Sequence, residues 1–272
     1  MASPWNWKGK DGSRGGLLYE PGNWGDLLKM LWLTALLDWK TGAVGGGFDY
    51  FDPFAGAVDY PLGKNTARRF MDARPPELDW VRERFLARGV WPSSASLARE
   101  MARGKTTVYD ADPERRETWR TLDGVTVAEG ESGWDILRRQ APDSDAVWLV
   151  DPYDVLAEWR DNLDPLVEKA ATVTTLVYIY NRSAGSPGAF KEYRAFRNAV
   201  ADARGDAPFQ WGRAASDGFL PRAHHETLLL PGESDARRGM DNLYAVLRER
   251  TMKLTAIINQ AGLFAGQGGS VT

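Results

Sequence analysis

Between Asp26 and Trp39 the apolar residues Leu27, Leu28, Leu31, Trp32, Ala35, Leu36 and Trp39 recur at the spacing of one helical face, and Gly42 supplies a stop signal. The pattern predicts a helix there. Gly45-Gly46-Gly47 leads into Phe48-Asp49-Tyr50-Phe51-Asp52, a short aromatic strand ending on an acid, followed by the small-residue turn Pro53-Phe54-Ala55-Gly56-Ala57. Strand-like runs return at residues 106–110, 125–129 and 146–151, closing on Asp110, Glu129 and Asp151. The last of these is apolar enough to be buried on both faces. Residues 172–180 and 225–230 read as two further strands. Helical periodicity occupies residues 93–102, 113–120, 134–140, 155–170 and 190–203. Strands alternating with helices in this way predict an α/β fold with a largely parallel sheet.

Residues 64–92 break that alternation. A strand-to-helix connection is normally short, yet here Phe70, Leu78, Val81 and Phe85 continue a charged helical pattern, which reads as a small helical insertion after the first strand. Residues 1–21 mix Trp, Lys, Gly and Ser without a period and read as a loose lead-in, and residues 265–272 as a flexible tail. A single domain is expected over residues 22–264.

Composition removes several kinds of chemistry. The 272 residues contain no Cys and two His, the adjacent His224 and His225, so thiolate zinc sites, catalytic thiols and disulfide frameworks are excluded, and no metal site is expected. The formal net charge of −3 and the pI of about 5.6 do not favour a general polyanion binder, although a local basic face can hide under such a total. Candidates for that face are Arg115-Arg116, Arg138-Arg139, Arg194 with Arg197, and Arg237-Arg238; such pairs are more often solvated helix surface. The longest apolar stretch, residues 27–37, is interrupted by Lys29 and too short to span a bilayer. No signal-peptide pattern opens the sequence, so a cytoplasmic location without membrane association is expected.

In an open parallel sheet, ligands bind beyond the carboxyl ends of the strands, where this sequence puts Asp52, Asp110, Glu129 and Asp151. A carboxylate after the second strand suits the two hydroxyls of a ribose, and a glycine after the first lets the backbone approach a cofactor. Neither the Gly-x-Gly-x-x-Gly dinucleotide loop nor a Gly-rich loop ending in Lys-Ser or Lys-Thr occurs. A nucleoside cofactor without a phosphate to cradle therefore fits best, and S-adenosylmethionine answers that description.

The motifs Gly22-Asn23-Trp24-Gly25-Asp26-Leu27-Leu28-Lys29, Asp52-Pro53-Phe54-Ala55-Gly56, Pro92-Ser93-Ser94-Ala95-Ser96, Ala128-Glu129-Gly130 and Asp151-Pro152-Tyr153 together resemble the J-type family of bacterial large-subunit ribosomal RNA adenine-N6 methyltransferases. The resemblance covers about residues 22–180, including the insertion. It implies a class I methyltransferase-like (Rossmann-like) fold, S-adenosylmethionine as cofactor, and an amine substrate, adenine N6 in RNA before DNA. It also implies that Lys29, Asp52, Phe54, Gly56 and Ser94 line the methionine end, that Asp110 holds the ribose, and that Glu129 and Gly130 flank the adenine. Asp151, Pro152 and Tyr153 would orient the amine and stack on its ring.

The sequence departs from the family pattern at Met30 and Phe54, where the family has His, and at Val58, where it has a second Gly. The family's Asp-Pro-Pro-Tyr is shortened to Asp151-Pro152-Tyr153. Two other readings follow from these departures: a methyltransferase-fold enzyme acting on a small-molecule amine or running other S-adenosylmethionine chemistry, and an inactive cofactor-binding or interaction module. The oligomeric state has no signature in the sequence.

Overall fold

Asn23 starts the first helix, α1 (Trp24–Val44), by accepting hydrogen bonds from the Gly25 and Asp26 amides, two of the donors that a helix start leaves without partners. Asp26 accepts from the Gly22 amide at 2.7 Å and closes the entry turn from the other side. The helix runs through Gly42, the expected stop, to Gly45, whose left-handed backbone (φ 68°) lets its amide bond the Thr41 carbonyl. Termination follows that conformation rather than the first glycine met. Most of the circumference of α1 is buried, including Lys29 and Lys40, so its apolar pattern is wider than one face.

The protein is represented by a computed structural model that describes residues 21–152, 155–181, 187–204, 210–213 and 224–265. After α1 come β1 (Phe48–Asp52), β2 (Asp59–Pro61), α2 (Lys64–Ala73), α3 (Asp79–Arg84), β3 (Val90–Pro92), α4 (Ser94–Ala102), β4 (Arg103–Val108) and α5 (Pro113–Arg120). Then follow β5 (Val125–Val127), α6 (Gly133–Arg139), β6 (Val147–Val150), α7 (Val155–Thr172), β7 (Thr174–Asn181), α8 (Pro187–Arg204), β8 (Gln210–Arg213), β9 (His224–Leu230), α9 (Glu233–Arg238) and α10 (Asp241–Ala265).

The main sheet has the order β5-β4-β1-β6-β7-β9-β8. Its first five strands are parallel, and β9 runs antiparallel to both β7 and β8. From β1 the chain steps outward to β4 and β5, then returns to lay β6 on the other side of β1, so the strand order reverses between β1 and β6. The loops leaving these two strands diverge and open a crevice at their carboxyl ends. This is the class I methyltransferase-like arrangement, a Rossmann-like sheet with an antiparallel strand near one edge.

Strands β4 and β5 end earlier than their sequence patterns predict. Pairing continues for one residue, with the Tyr109 amide on the Asp52 carbonyl at 3.0 Å and the Ala128 amide on the Val108 carbonyl at 2.8 Å, and then stops. Asp110 and Glu129 consequently lie two residues past their strands, free of the ladder. The insertion is not purely helical either: the antiparallel pair β2–β3 brackets it.

Two clusters of buried residues cover the two faces of the sheet. One joins α1, α4, α10 and the insertion; the other joins α6, α7 and α8. Leu27, Leu28, Leu36 and Leu37 are 0% exposed, each contributing about 1.5–3 kcal/mol by leaving water. That burial fixes α1, and with it the position of Lys29. None of the helices among the described residues is long and apolar enough to cross a membrane.

Candidate functional site

The crevice is a cleft of about 720 Å³ lined by residues that follow β1, β4 and β6 and by the first turns of α1. Its floor is the turn after β1. Asp52, 1% exposed, accepts from the Phe54 amide at 2.9 Å and from the Tyr50 hydroxyl at 3.3 Å, and the Ala55 amide bonds the Tyr109 carbonyl at 3.0 Å. Gly56 takes φ +69°, and a Cβ there would overlap the Tyr60 hydroxyl, so this turn requires glycine. Phe54 packs edge-on against Trp134 with ring centroids 5.2 Å apart, and Trp134 donates its indole N–H to Glu158 at 2.6 Å. Gly133 lets α6 begin against this turn, since a Cβ would strike the Pro53 carbonyl and the Phe54 ring.

The wall opposite is built on Lys29. Its Nζ lies 2.5 Å from Asp151 Oδ2, 3.3 Å from Asp26 Oδ1 and 4.7 Å from the centre of the Tyr178 ring. The Lys29 side chain is 8% exposed and that of Asp151 21%. Asp151 lines the cleft, and its Oδ1 accepts no hydrogen bond among the described residues while Oδ2 is held by Lys29. Burial pushes the Asp151 carboxyl up to about 6 against the pull of the Lys29 ammonium. Burial likewise pushes Asp52 up to about 7, opposed by the Phe54 amide and reinforced by the charge of Asp151. For Lys29 burial acts downward, and the Asp151 and Asp26 carboxylates outweigh it, holding the ammonium above its ordinary range.

Asp110 closes the far end. Its carboxylate accepts from the Asp112 amide at 2.7 Å and faces Arg115 at 3.5 Å; burial raises its pKa, while that amide and Arg115 oppose the shift. Ser94, 7% exposed, lines the same cleft, and its hydroxyl makes no hydrogen bond among the described residues. A hydroxyl at a cleft wall that makes no hydrogen bond within the protein keeps its bonding capacity for whatever enters the cleft.

Lys29, Asp52, Phe54, Gly56, Ser94, Asp110, Asp151 and Pro152 thus meet in one cleft. Glu129 and Gly130 do not line it. The Glu129 side chain is 72% exposed and ion-paired with Arg120, and the Gly130 carbonyl accepts from the Tyr109 hydroxyl at 3.2 Å. Glu131 and Ser132 of the same loop, with Gly133 and Trp134 at the start of α6, line the cleft in their place. Tyr153 lies outside the described residues, as do the side chains of His224 and His225. Sequence reasoning missed Asp26 and Tyr178 as wall residues and Arg115 as the partner of Asp110. The pair Asn23…Asp26 is a helix-start signature that pointed to the first; the other two depend on tertiary contact.

Three of the four arginine pairs are engaged by the protein's own groups. Arg116 donates to the carbonyls of Asp110 and Ala111, Arg138 bonds Asn162, and Arg139 pairs with Asp135. Arg237 pairs with Glu233, and Arg238 reaches Asp145 and Asp235 at the opposite edge of the sheet from Asp151.

No protein-family model matches this sequence, and no curated protein does. Among solved structures, protein LPL1258 from Legionella pneumophila, assigned to the family DUF519, superposes with a TM-score of 0.65 at 14% identity, over 87% of this chain and 94% of that one. The M. jannaschii TYW2 structure in complex with AdoMet gives 0.40 at 10% identity, over 78% and 76% of the two chains. The bifunctional kinase-methyltransferase WbdD gives 0.45 at 12% identity, over 77% and 40%. The Legionella match, spanning nearly the whole of both chains, shows that this fold is shared.

Proposed function

We propose that the protein is an S-adenosylmethionine-dependent methyltransferase acting on an amine nitrogen. The observation that carries this reading is the meeting of three strand-end carboxylates, Asp52, Asp110 and Asp151, in one cleft at the switch point of the sheet. The donor set suits the cofactor. Asp110 offers a carboxylate at the cleft wall to a ribose diol, the Ser94 hydroxyl suits a carboxylate, and the turn from Asp52 to Gly56 brings backbone close without phosphate-binding glycines. S-adenosylmethionine supplies a methyl group on a sulfonium and departs as a neutral thioether, so no residue has to protonate a leaving group.

The protein's task is then orientation. Asp151 stands one residue past a four-residue buried strand and lines the cleft, with Oδ2 tied to Lys29 and Oδ1 making no hydrogen bond among the described residues. It accepts the N–H of the substrate amine and aims the nitrogen lone pair, which raises the rate by holding the reactants in line. Tyr178, beneath Lys29, and Pro152 bound the space where the amine group sits.

Adenine N6, the amine implied by the sequence resemblance, is one such substrate. A small-molecule amine is the second reading, favoured by the single proline after Asp151 and developed below. Methyl transfer from labelled S-adenosylmethionine to RNA, DNA and metabolite pools identifies the class. Asp151→Ala should lower turnover on the identified substrate about a thousandfold while cofactor affinity stays within a factor of about three. Full turnover by a folded Asp151→Ala protein would remove the orienting role.

A further inference from the structure

Resting on the methyltransferase reading, we infer that the substrate amine belongs to a small cationic molecule, and that the rim of the cleft selects against nucleic acid. Seven carboxylate side chains line the cleft against two basic ones, Lys29 and Arg115. Both cations are spent inside the protein, Lys29 on Asp26 and Asp151, Arg115 on Asp110 and Asp112. Three of the acids are the most exposed charged groups of the lining: Glu131 and Glu158 are exposed, and the Asp112 side chain is 42% exposed.

Among the described residues, the most exposed charged side chains of the cleft lining are therefore acidic. Duplex DNA carries one phosphate per about 1.7 Å of axis, and the proteins that hold such polyanions do so with unpaired Lys and Arg around the site. Here, among the described residues, Arg115, Arg116, Arg138 and Arg139 are bonded to the protein's own carbonyls and side chains, and Arg237-Arg238 sit at the opposite edge of the sheet. Within a Debye length of about 10 Å the rim carboxylates would repel phosphates and draw an ammonium, and the low-dielectric walls strengthen that field. Those walls include Met30, Trp91 and Tyr178, which cover the carbon frame of a small molecule. A cleft of about 720 Å³ holds a cofactor and a compact second ligand.

An amine arriving as an ammonium must lose one proton before it can react, and Asp151 Oδ1, the oxygen Lys29 leaves open, receives it. The freed nitrogen pair then forms the new N–C bond as the methyl C–S bond breaks onto sulfur. The proton passes from Asp151 to water.

The test uses the full chain loaded with S-adenosylhomocysteine. Spermidine and tryptamine, an aliphatic and a planar cationic amine, are titrated calorimetrically. A labelled adenine-rich RNA strand is followed by fluorescence anisotropy. At least one amine should bind, with affinity falling about threefold between low and physiological salt and by a similar factor in the Glu131→Gln/Glu158→Gln protein, whose exposed positions leave folding intact. The RNA should not be retained even at low salt. RNA retention with steep salt dependence, or failure of both amines to bind the loaded protein, overturns the inference and leaves the methyltransferase reading standing. Failure of S-adenosylhomocysteine itself to bind overturns both.

Discussion

Helix α1 carries two buried lysines three turns apart, and each meets an aspartate, one at either edge of the sheet. At the amino edge, Lys40 lies 2.6 Å from Asp235 and donates to the Ser144 carbonyl at 3.0 Å. Asp235 also accepts from the Thr174 hydroxyl at 2.6 Å and from Arg238 at 2.9 Å. Both side chains of that pair are 0% exposed, every oxygen of Asp235 is occupied, and neither residue lines the cleft. At the carboxyl edge, Lys29 and Asp151 make a pair of the same kind, 2.5 Å apart, but the Asp151 side chain is a fifth exposed and keeps one oxygen without a partner among the described residues. A buried ion pair by itself is weak evidence for either stability or function. The difference lies in completeness. The closed cluster ties α1 to β7 and α9, while the open one leaves hydrogen-bonding capacity where the sheet opens.

That contrast is broken most severely by removing the lysines. Lys40→Met leaves Asp235 buried beside Thr174 and Arg238, and should cost about 3–5 kcal/mol of stability, lowering the thermal midpoint by on the order of 10 °C while the folded fraction keeps its methyl transfer. Lys29→Met should do the reverse, with a smaller loss of midpoint and a loss of turnover of at least about tenfold. Scanning calorimetry beside a single-turnover assay separates the two. Equal destabilisation with equal loss of activity would mean that the two pairs serve the same purpose.

The next effect is on the pH profile. Orientation needs the Asp151 carboxylate, whose carboxyl is raised to about 6 by burial, so turnover should fall as pH drops through about 6. The Lys29 ammonium pulls that value down; Lys29→Met should therefore move the acidic limb to higher pH. A limb that stays in place in the variant would detach Asp151 from the rate. The smallest effect belongs to Glu129, which is paired with Arg120 outside the cleft. Glu129→Ala should change cofactor affinity by less than about twofold, as expected for an exposed ion pair, and a tenfold loss in titration would return Glu129 to the site.

Much of this was legible in the chain. Asp52, Asp110 and Asp151 follow runs whose apolar pattern marks strands, and the parallel order of such strands puts their ends on one edge. Gly56 was legible because a turn between a strand and a cofactor needs an unbranched backbone. Glu129 reads like the others in sequence, yet β5 stops at Val127 and the loop turns the acid to solvent; nothing local marks that change of direction. The pairing of Lys29 with Asp151 spans 122 positions, and that of Trp32 with Thr251 on α10 spans 219, separations that no local period encodes. Helix α10 itself escaped notice because its buried residues Leu243, Leu247, Leu254 and Ile258 are interleaved with charge.

The open pair has a purpose only if the cleft takes the cofactor that its donors suit. Calorimetric titration of the folded wild-type protein with S-adenosylmethionine, repeated on Asp110→Ala, is the most direct test. The wild type should bind at one site, competed by S-adenosylhomocysteine, and Asp110→Ala should bind about ten to a hundred times more weakly, as removal of a charged hydrogen-bond acceptor predicts. No saturable binding by the wild type, or equal affinity in the two proteins, would contradict the assignment of this cleft.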